Sequence, residues 1–288
     1  MEGNRFSKYI NFFIAVALLF AVFIWSYAIK AAEANASKGE VEITFLDVGE
    51  GDAILISLGG STQILIDGGR DGGVLNPLDD QMPLFDKKIE YVVATHPDAD
   101  HIGGLDEVFE SYKIEQFIES GDKSDSATYA KLQEAVKNEG AKTRIVSRGD
   151  VIRFGGEARG VVLWPDEGSG FDSNNLSVVL KFEYKESCAI LTGDAELQAQ
   201  EKILGGDQNI QCELYKVPHH GAANGLDKRF IEKVKPKYAV ISVGENNQYG
   251  HPTQAVLDSL AGIGAKILRT DELGTISFET DGKNWKEN

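Results

Sequence analysis

The chain has 288 residues, with 45 Asp and Glu against 29 Lys and Arg, for a formal net charge of −16. Such a surface repels polyanions on average and argues against a protein that coats duplex DNA through a broad basic face. Chemistry on phosphate stays open, because bound cations supply positive charge where a phosphate must sit.

The N-terminus carries Arg5 and Lys8, then an apolar run from Phe12 to Ile29 broken only by Ser26, then Lys30. At about 1.5 Å per helical residue this run approaches a bilayer core of roughly 30 Å, and it exceeds the apolar region of about 7–15 residues usual in a signal peptide. Residues 1–30 are therefore predicted to be a short cytoplasmic tip and a single transmembrane anchor, with the catalytic body outside the cytoplasm of a cell membrane. Secretion after cleavage near Ala36, in Ala34-Asn-Ala36, is the alternative. Residues 31–39 read as a flexible linker, and residues 40–288 are long enough for one well-buried α/β domain.

Within that domain Val41–Leu46, Ala53–Ile56, Gln63–Ile66 and Tyr91–Ala94 read as short strands, separated by Gly and Asp turns. Ser126 caps a predicted helix carrying Leu132, Ala135 and Val136, stopped by Gly140. Strands are expected at Leu176–Phe182, Ala189–Leu191, Leu214–Val217, Tyr238–Ile241, Ile267–Arg269 and Thr275–Phe278. Helices are expected over Ala195–Leu204 and after Thr253, where Val256, Leu257 and Leu260 share a face. Lys228, Arg229, Lys233, Lys235 and Lys237 form one basic cluster, read as a solvated helix face and loop rather than a nucleic-acid path. Cys188 and Cys212 fit either a disulfide in an exported protein or two buried thiols on neighbouring strands. With no CxxC pair, a structural zinc site built on cysteine is not expected.

All five histidines lie in three short turns, the first reading His96-Pro-Asp-Ala-Asp-His101. Histidine is the commonest metal ligand at neutral pH, and carboxylates complete hard or borderline metal shells. Further polar turns follow other apolar strands: Asp67-Gly-Gly69, Thr192-Gly-Asp194, His219-His-Gly221 and Tyr249-Gly-His-Pro252. In α/β folds, turns beyond the carboxyl ends of strands converge on ligand sites.

Thr95-His-Pro-Asp-Ala-Asp-His-Ile-Gly-Gly104 resembles the second motif of the metallo-β-lactamase superfamily. Phe45-Leu-Asp-Val-Gly-Glu-Gly-Asp52, Leu65-Ile-Asp-Gly-Gly69, Asn174-Asn-Leu-Ser177, Leu191-Thr-Gly-Asp194, Val217-Pro-His-His-Gly221 and Tyr249-Gly-His-Pro252 stand in the family's order. The set is most similar to the soluble ComEC-type hydrolase domain of competence proteins. The resemblance implies an α/β (α+β) fold, an αββα sandwich of two mixed sheets flanked by helices. It implies two divalent ions, Mn2+ or Zn2+, with His96 and Asp98 on one, Asp100, His101 and His219 on the other, and Asp194 bridging them. Asp67 or Asp47 would accept hydrogen bonds from the imidazoles and fix their tautomers.

Asp98 stands where many members have histidine, which hardens the site toward manganese, with zinc retained. A further ligand histidine of many members is missing; Asn174 or Asn175 lies nearest its place, either orienting substrate or forming a turn. Glu50 replaces a glutamine common in this branch, and Ala222 a serine. Asp100, His220 and His251 are the candidate catalytic residues. His220 would contact phosphate or pack beside His219, and His251 would act as general acid or hold its loop. The implied activity is metal-dependent hydrolysis of phosphodiesters, as a nuclease on extracellular DNA, with no organic cofactor. The alternatives are a metallo-hydrolase of a lactam, lactone or envelope phosphoester, and a non-catalytic binding module of a DNA-uptake system.

Overall fold

The computed structural model describes residues 13–14, 16–26, 40–59 and 61–288. The chain forms two compact units, Met1–Lys38 and Gly39–Asn288. In the first unit residues 13–14 and 16–26 are helical. Among the described residues no helix is long and apolar enough to cross a membrane. The expected anchor over residues 12–29 includes positions outside the described residues, as do the linker and Ala34–Ala36.

The second unit begins with strands whose side chains alternate between two environments. Ile43, Phe45, Ile54, Ile56, Ile64 and Ile66 enter one core, while Leu55 and Leu65 between them enter another. That period of two gives each strand two buried faces, so the sheet is covered on both sides. One sheet runs β15 (Lys286–Glu287), β14 (Ile276–Thr280), β1 (Val41–Phe45), β2 (Ile54–Leu58), β3 (Thr62–Ile66), β4 (Lys88–Ala94), β5 (Lys113–Glu119), β6 (Lys142–Ile145). The other runs β13 (Lys266–Arg269), β12 (Tyr238–Ile241), β11 (Leu214–Lys216), β10 (Ser187–Leu191), β9 (Val179–Tyr184), β8 (Ala158–Trp164), β7 (Val151–Gly155). Both are mixed: β3 to β6 pair in parallel, as do β10 to β13, and the remaining pairs are antiparallel.

The core between the sheets joins Ile43, Phe45 and Ile66 to Val162, Leu180, Phe182 and Val240. Outside the first sheet, Leu65, Val92 and Phe117 pack on Leu105 and Val108 of helix Leu105–Ser111 and on Leu132 and Val136 of helix Ala127–Glu139. Outside the second, Ile190, Tyr215 and Ile241 pack on helices Leu197–Leu204, Lys228–Val234 and Gln254–Gly262. The layers are helix, sheet, sheet, helix. The expected helix at Ser126 starts there, with the hydroxyl accepting from Tyr129 N–H, and stops at Gly140 in the left-handed region. Lys228, Arg229, Lys233, Lys235 and Lys237 are all exposed. Strands β5 to β8 and helices Leu75–Gln81 and Leu105–Ser111 were not singled out by the sequence, whose alternation there is weak; tertiary packing decides them.

Cys188 and Cys212 form a disulfide, their Cα atoms 5.2 Å apart and 24 positions apart in sequence. The parallel pairing of Ala189 with Leu214 brings the two segments alongside. Closing a loop of this size contributes about 3 kcal/mol by the chain-entropy estimate. Replacing both cysteines by serine is therefore expected to lower the unfolding free energy by about 2–4 kcal/mol in a urea melt. An unchanged midpoint would show that the bridge contributes nothing.

Candidate metal centre

The turns that carry the histidines all leave the carboxyl ends of parallel strands, so one edge of the sandwich collects them. Asp67 follows β3, Thr95 and His96 follow β4, Asp194 follows β10, and His219 and His220 follow β11. The β1–β2 connection closes over them. Gly51 has φ +105°, and a Cβ there would lie 1.8 Å from the Asp100 carbonyl oxygen, so only glycine allows that approach. The contact lets Asp52 N–H donate to the same carbonyl at 3.2 Å.

Three imidazoles are each fixed through Nδ1. His96 Nδ1 lies 3.1 Å from Thr95 Oγ1, whose hydroxyl donates to Asp67 Oδ2 at 2.7 Å. His101 Nδ1 donates to Asp67 Oδ2 at 2.8 Å, and His220 Nδ1 donates to the Ser242 carbonyl at 2.9 Å. These acceptors hold a proton on Nδ1, so Nε2 of each ring is the nitrogen left to a cation. All three Nε2 atoms are buried without a hydrogen-bond partner, and so is Asp194 Oδ1.

These orphaned atoms converge. Donor atoms of His96, His101 and Asp194 lie within 4.8 Å of one another, and so do those of Asp100, His101 and His220. Asp194 Oδ1 is 3.2 Å from His101 Nε2, and Asp194 Oδ2 is 3.5 Å from His220 Nε2 and 3.9 Å from His219 Nε2. Asp100 Oδ2 is 3.5 Å from His220 Nε2, and Asp98 Oδ2 is 3.7 Å from His96 Nε2. Asp98 begins a helical turn, Ala99–Ile102, yet its side chain makes no capping bond, so capping does not account for it. Neutral imidazoles and carboxylates, with no thiolate, fit two hard or borderline divalent ions. His219 and His220 both adopt left-handed backbone, with φ of 49° and 52°. Two adjacent non-glycine residues there store about 1–3 kcal/mol each, a cost typical of functional sites.

Electrostatics follow from burial and crowding. Burial holds the His96 imidazole neutral, its pKa well below the usual histidine value. Burial also opposes charge on His101, but Asp194 and Asp67 outweigh it and raise that pKa well above the usual value. Burial would likewise raise Asp194; His101 and His220 overcome it and hold the carboxylate ionised. His251, half-buried, is pushed down by burial and then by His219 and His220, so it is uncharged near neutral pH.

The structure separates the remaining candidates. Asp67 is the acceptor that orders His101 and, through Thr95, His96. Asp47 is not: it is exposed, and its carboxylate accepts from Gly49 N–H inside its own turn. Asp52, quoted only as the end of a motif, instead lies buried 3.5 Å from His220 and 3.8 Å from His101. His220 sits inside a donor group, whereas His219 lies at its edge with Nδ1 3.0 Å from Glu196. Asn175 is fully buried and fastens its loop, donating to Asp172 at 2.9 Å and accepting from Ala199 N–H at 3.1 Å. Asn174 donates to Glu196 at 3.1 Å, behind His219. Sequence reasoning passed over Asp52, Glu196 and Lys216. A charged residue at the end of an apolar strand, Leu214-Tyr-Lys216, was the available signal for the last.

The rim of the site carries Glu50, Asn247, Tyr249 and His251. Tyr249 is 64% exposed, and its ring stacks on His251 with centroids 5.9 Å apart and planes at 18°. Arg70 pairs with Glu50 at 3.1 Å.

A four-layer sandwich with a His and Asp donor set at one sheet edge defines a metal-dependent hydrolase class. The chain belongs to the metallo-β-lactamase superfamily, whose family model matches residues 46–245. It is homologous to ComEC-type competence proteins. ComE operon protein 3 of Bacillus subtilis (strain 168) is 30% identical over 263 residues, covering 84% of this chain and 33% of the relative. Competence protein ComA of Neisseria gonorrhoeae is 28% identical over 265 residues, covering 91% and 35%. The chain thus spans about a third of the length of these relatives. Among solved structures, CmlA, a diiron β-hydroxylase from Streptomyces venezuelae, aligns with TM-score 0.50 at 13% identity, covering 88% of this chain and 55% of that one. Zn2+-bound PqqB from Methylobacterium extorquens aligns with TM-score 0.50 at 10% identity, covering 79% and 86%. These two share the fold alone.

Proposed function

We propose that the chain is a two-metal phosphodiesterase that cuts extracellular DNA. The observation that carries the metal part is the pair of donor groups sharing His101, with three orphaned Nε2 atoms aimed at them. His96 and Asp98 would hold one ion, Asp100, His101 and His220 or His219 the other, with Asp194 between. Two such ions, of Mn2+ or Zn2+, would supply a water-derived nucleophile at neutral pH and would neutralise charge developing on the substrate. The chain's own residues do the rest. Asp67 keeps the imidazoles oriented, and Asp194 keeps the two donor groups together. His251, at the rim, hydrogen-bonds the departing oxygen and delivers a proton to it only toward acid pH, because it is neutral above that range. The DNA part is supported by the word competence in the name of one relative, competence protein ComA. Attachment to the cell membrane through residues 12–29 is part of the same proposal, and the disulfide supports an oxidising compartment outside the cytoplasm.

The exposed Tyr249 ring offers a nucleobase a face to stack on beside the scissile bond. Tyr249→Ala is expected to raise KM for a single-stranded oligonucleotide about 5- to 150-fold, from a stacking contribution of about 1–3 kcal/mol per base. A small phosphodiester without a base should be hydrolysed as before; equal losses on both substrates would remove the stacking role.

A second reading keeps the ions but changes the substrate to a lactam, a lactone or an envelope phosphoester. The net charge of −16, and a rim cation already paired with Glu50, favour it. The test is the full chain loaded with Mn2+ or Zn2+ and offered single-stranded DNA, duplex DNA, a generic phosphodiester and a β-lactam. Cleavage of the lactam with DNA untouched transfers the assignment to the second reading. No turnover and no bound metal would leave only a binding module.

A further inference from the structure

Lys216 takes no part in the donor set or the proposed reaction, yet it is fully buried at the end of β11. Its ammonium touches Asp52, donates to the Gly193 carbonyl at 3.1 Å, and stands 3.7 Å from Asp194 Oδ1. A buried ion pair is costly to desolvate, and apolar residues of similar volume often replace one without loss of stability. Packing therefore does not account for the pair. The count of charges does. Asp52, Asp67, Asp98, Asp100 and Asp194 place five carboxylates around the rings of His96, His101 and His220, with Glu196 set apart on the far nitrogen of His219. Two divalent ions offset four of them, and the ammonium offsets the fifth.

We propose that Lys216 is a positioning residue that sets the charge of the metal centre. It neutralises Asp52, keeps that carboxylate from reaching in as an extra ligand, and leaves the loaded site near neutral so that it still accepts an anionic substrate. The proposal rests on the two-metal reading of this site but not on which bond is hydrolysed.

The experiment is a titration of the full chain and three variants with Mn2+ or Zn2+ against a chromophoric chelator, with bound metal counted per chain. Lys216→Met removes a positive charge beside the ions and is expected to tighten binding about tenfold or more. Asp52→Asn removes a negative charge and is expected to weaken binding about tenfold or more. The double variant loses both charges and should return to within about threefold of the unmodified chain. A merely structural pair gives a different pattern, in which both single variants weaken binding and the double variant is no better; that pattern overturns the proposal. Should Lys216→Met fail to fold, Asp52→Asn against the double variant decides: tighter binding by the double variant supports the proposal, and equal binding overturns it. An unmodified chain that holds two ions but cleaves no phosphodiester removes the proposed DNA substrate and leaves this inference standing. One that takes up no metal removes both.

Discussion

Asp194→Asn is expected to cut metal-dependent turnover by about a thousandfold or more and to leave fewer than two ions per chain. The carboxylate lies 3.2 Å from His101, 3.5 Å from His220 and 3.7 Å from Lys216, so it stands against residues of both donor groups at this edge. A carboxylate has two oxygens with which to bridge two cations; an amide has one, and it carries no charge. The substitution also removes a buried counter-charge. Burial works against ionised Asp194, but His101 and His220 depress its pKa well below the ordinary value. A depressed carboxylate contributes stability that is present above its unfolded pKa, near 4, and lost as pH falls through the folded one. At neutral pH the whole contribution is therefore at stake, and removing one partner of such a buried network costs about 3–5 kcal/mol. Metal analysis, turnover and a urea melt read the three effects separately. Two retained ions with turnover within tenfold of the unmodified chain would remove Asp194 from the bridging position.

Chelation is expected to lower stability by about 4 kcal/mol for each ion that had been present 1,000-fold above its Kd. The loss should grow with pH, for a reason the protonation states supply. In the metal-free protein, burial opposes charge on His101 and His220, but neighbouring carboxylates win and raise both pKa values. A raised histidine contributes stability that is complete below its unfolded value, near 6.5, and lost as pH rises through the folded one. His96 is shifted the other way and contributes nothing to the change above about 6.5. Protons on His101 and His220 thus partly substitute for the ions near pH 7, and they leave as pH rises. Ion binding needs those same rings deprotonated, so it strengthens over the same range. Melting temperatures measured with and without EDTA should diverge between about pH 7 and pH 9. A gap that narrows over that range would overturn this account of the centre.

Local chemistry made much of this legible before any fold was known. The strands β1 to β4 carry alternating or short continuous apolar runs punctuated by Gly and Asp, and each overlaps the segment where such a run was expected. The helix after Ser126 has its cap, its apolar face and its glycine stop within the segment itself. Strands β5 to β8 lack that self-sufficiency. Lys113–Glu119 and Ala158–Trp164 become strands because neighbours already in the sheets offer them hydrogen bonds and apolar faces. Among the site residues, the ordered motifs identified the turns, because spacing within a turn is a local property. They could not distinguish Asp47 from Asp52, five positions apart in one turn-rich connection. The difference is that Asp52 N–H is drawn onto the Asp100 carbonyl while Asp47 stays exposed.

The class of centre therefore follows from local segments of the chain. His96-Pro-Asp-Ala-Asp-His101, Asp194 and the histidine pair after β11 supply nitrogen and carboxylate donors whatever path the chain takes between them. Tertiary structure decided which atoms face inward. Nδ1 of His96, His101 and His220 is tied by Thr95, Asp67 and the Ser242 carbonyl, so Nε2 turns to the site. It also joined Cys188 to Cys212 and set Lys216 against Asp52. These outcomes depend on pairings between segments separated in sequence, and such a contact is encoded by the packing of both partners rather than by either segment alone.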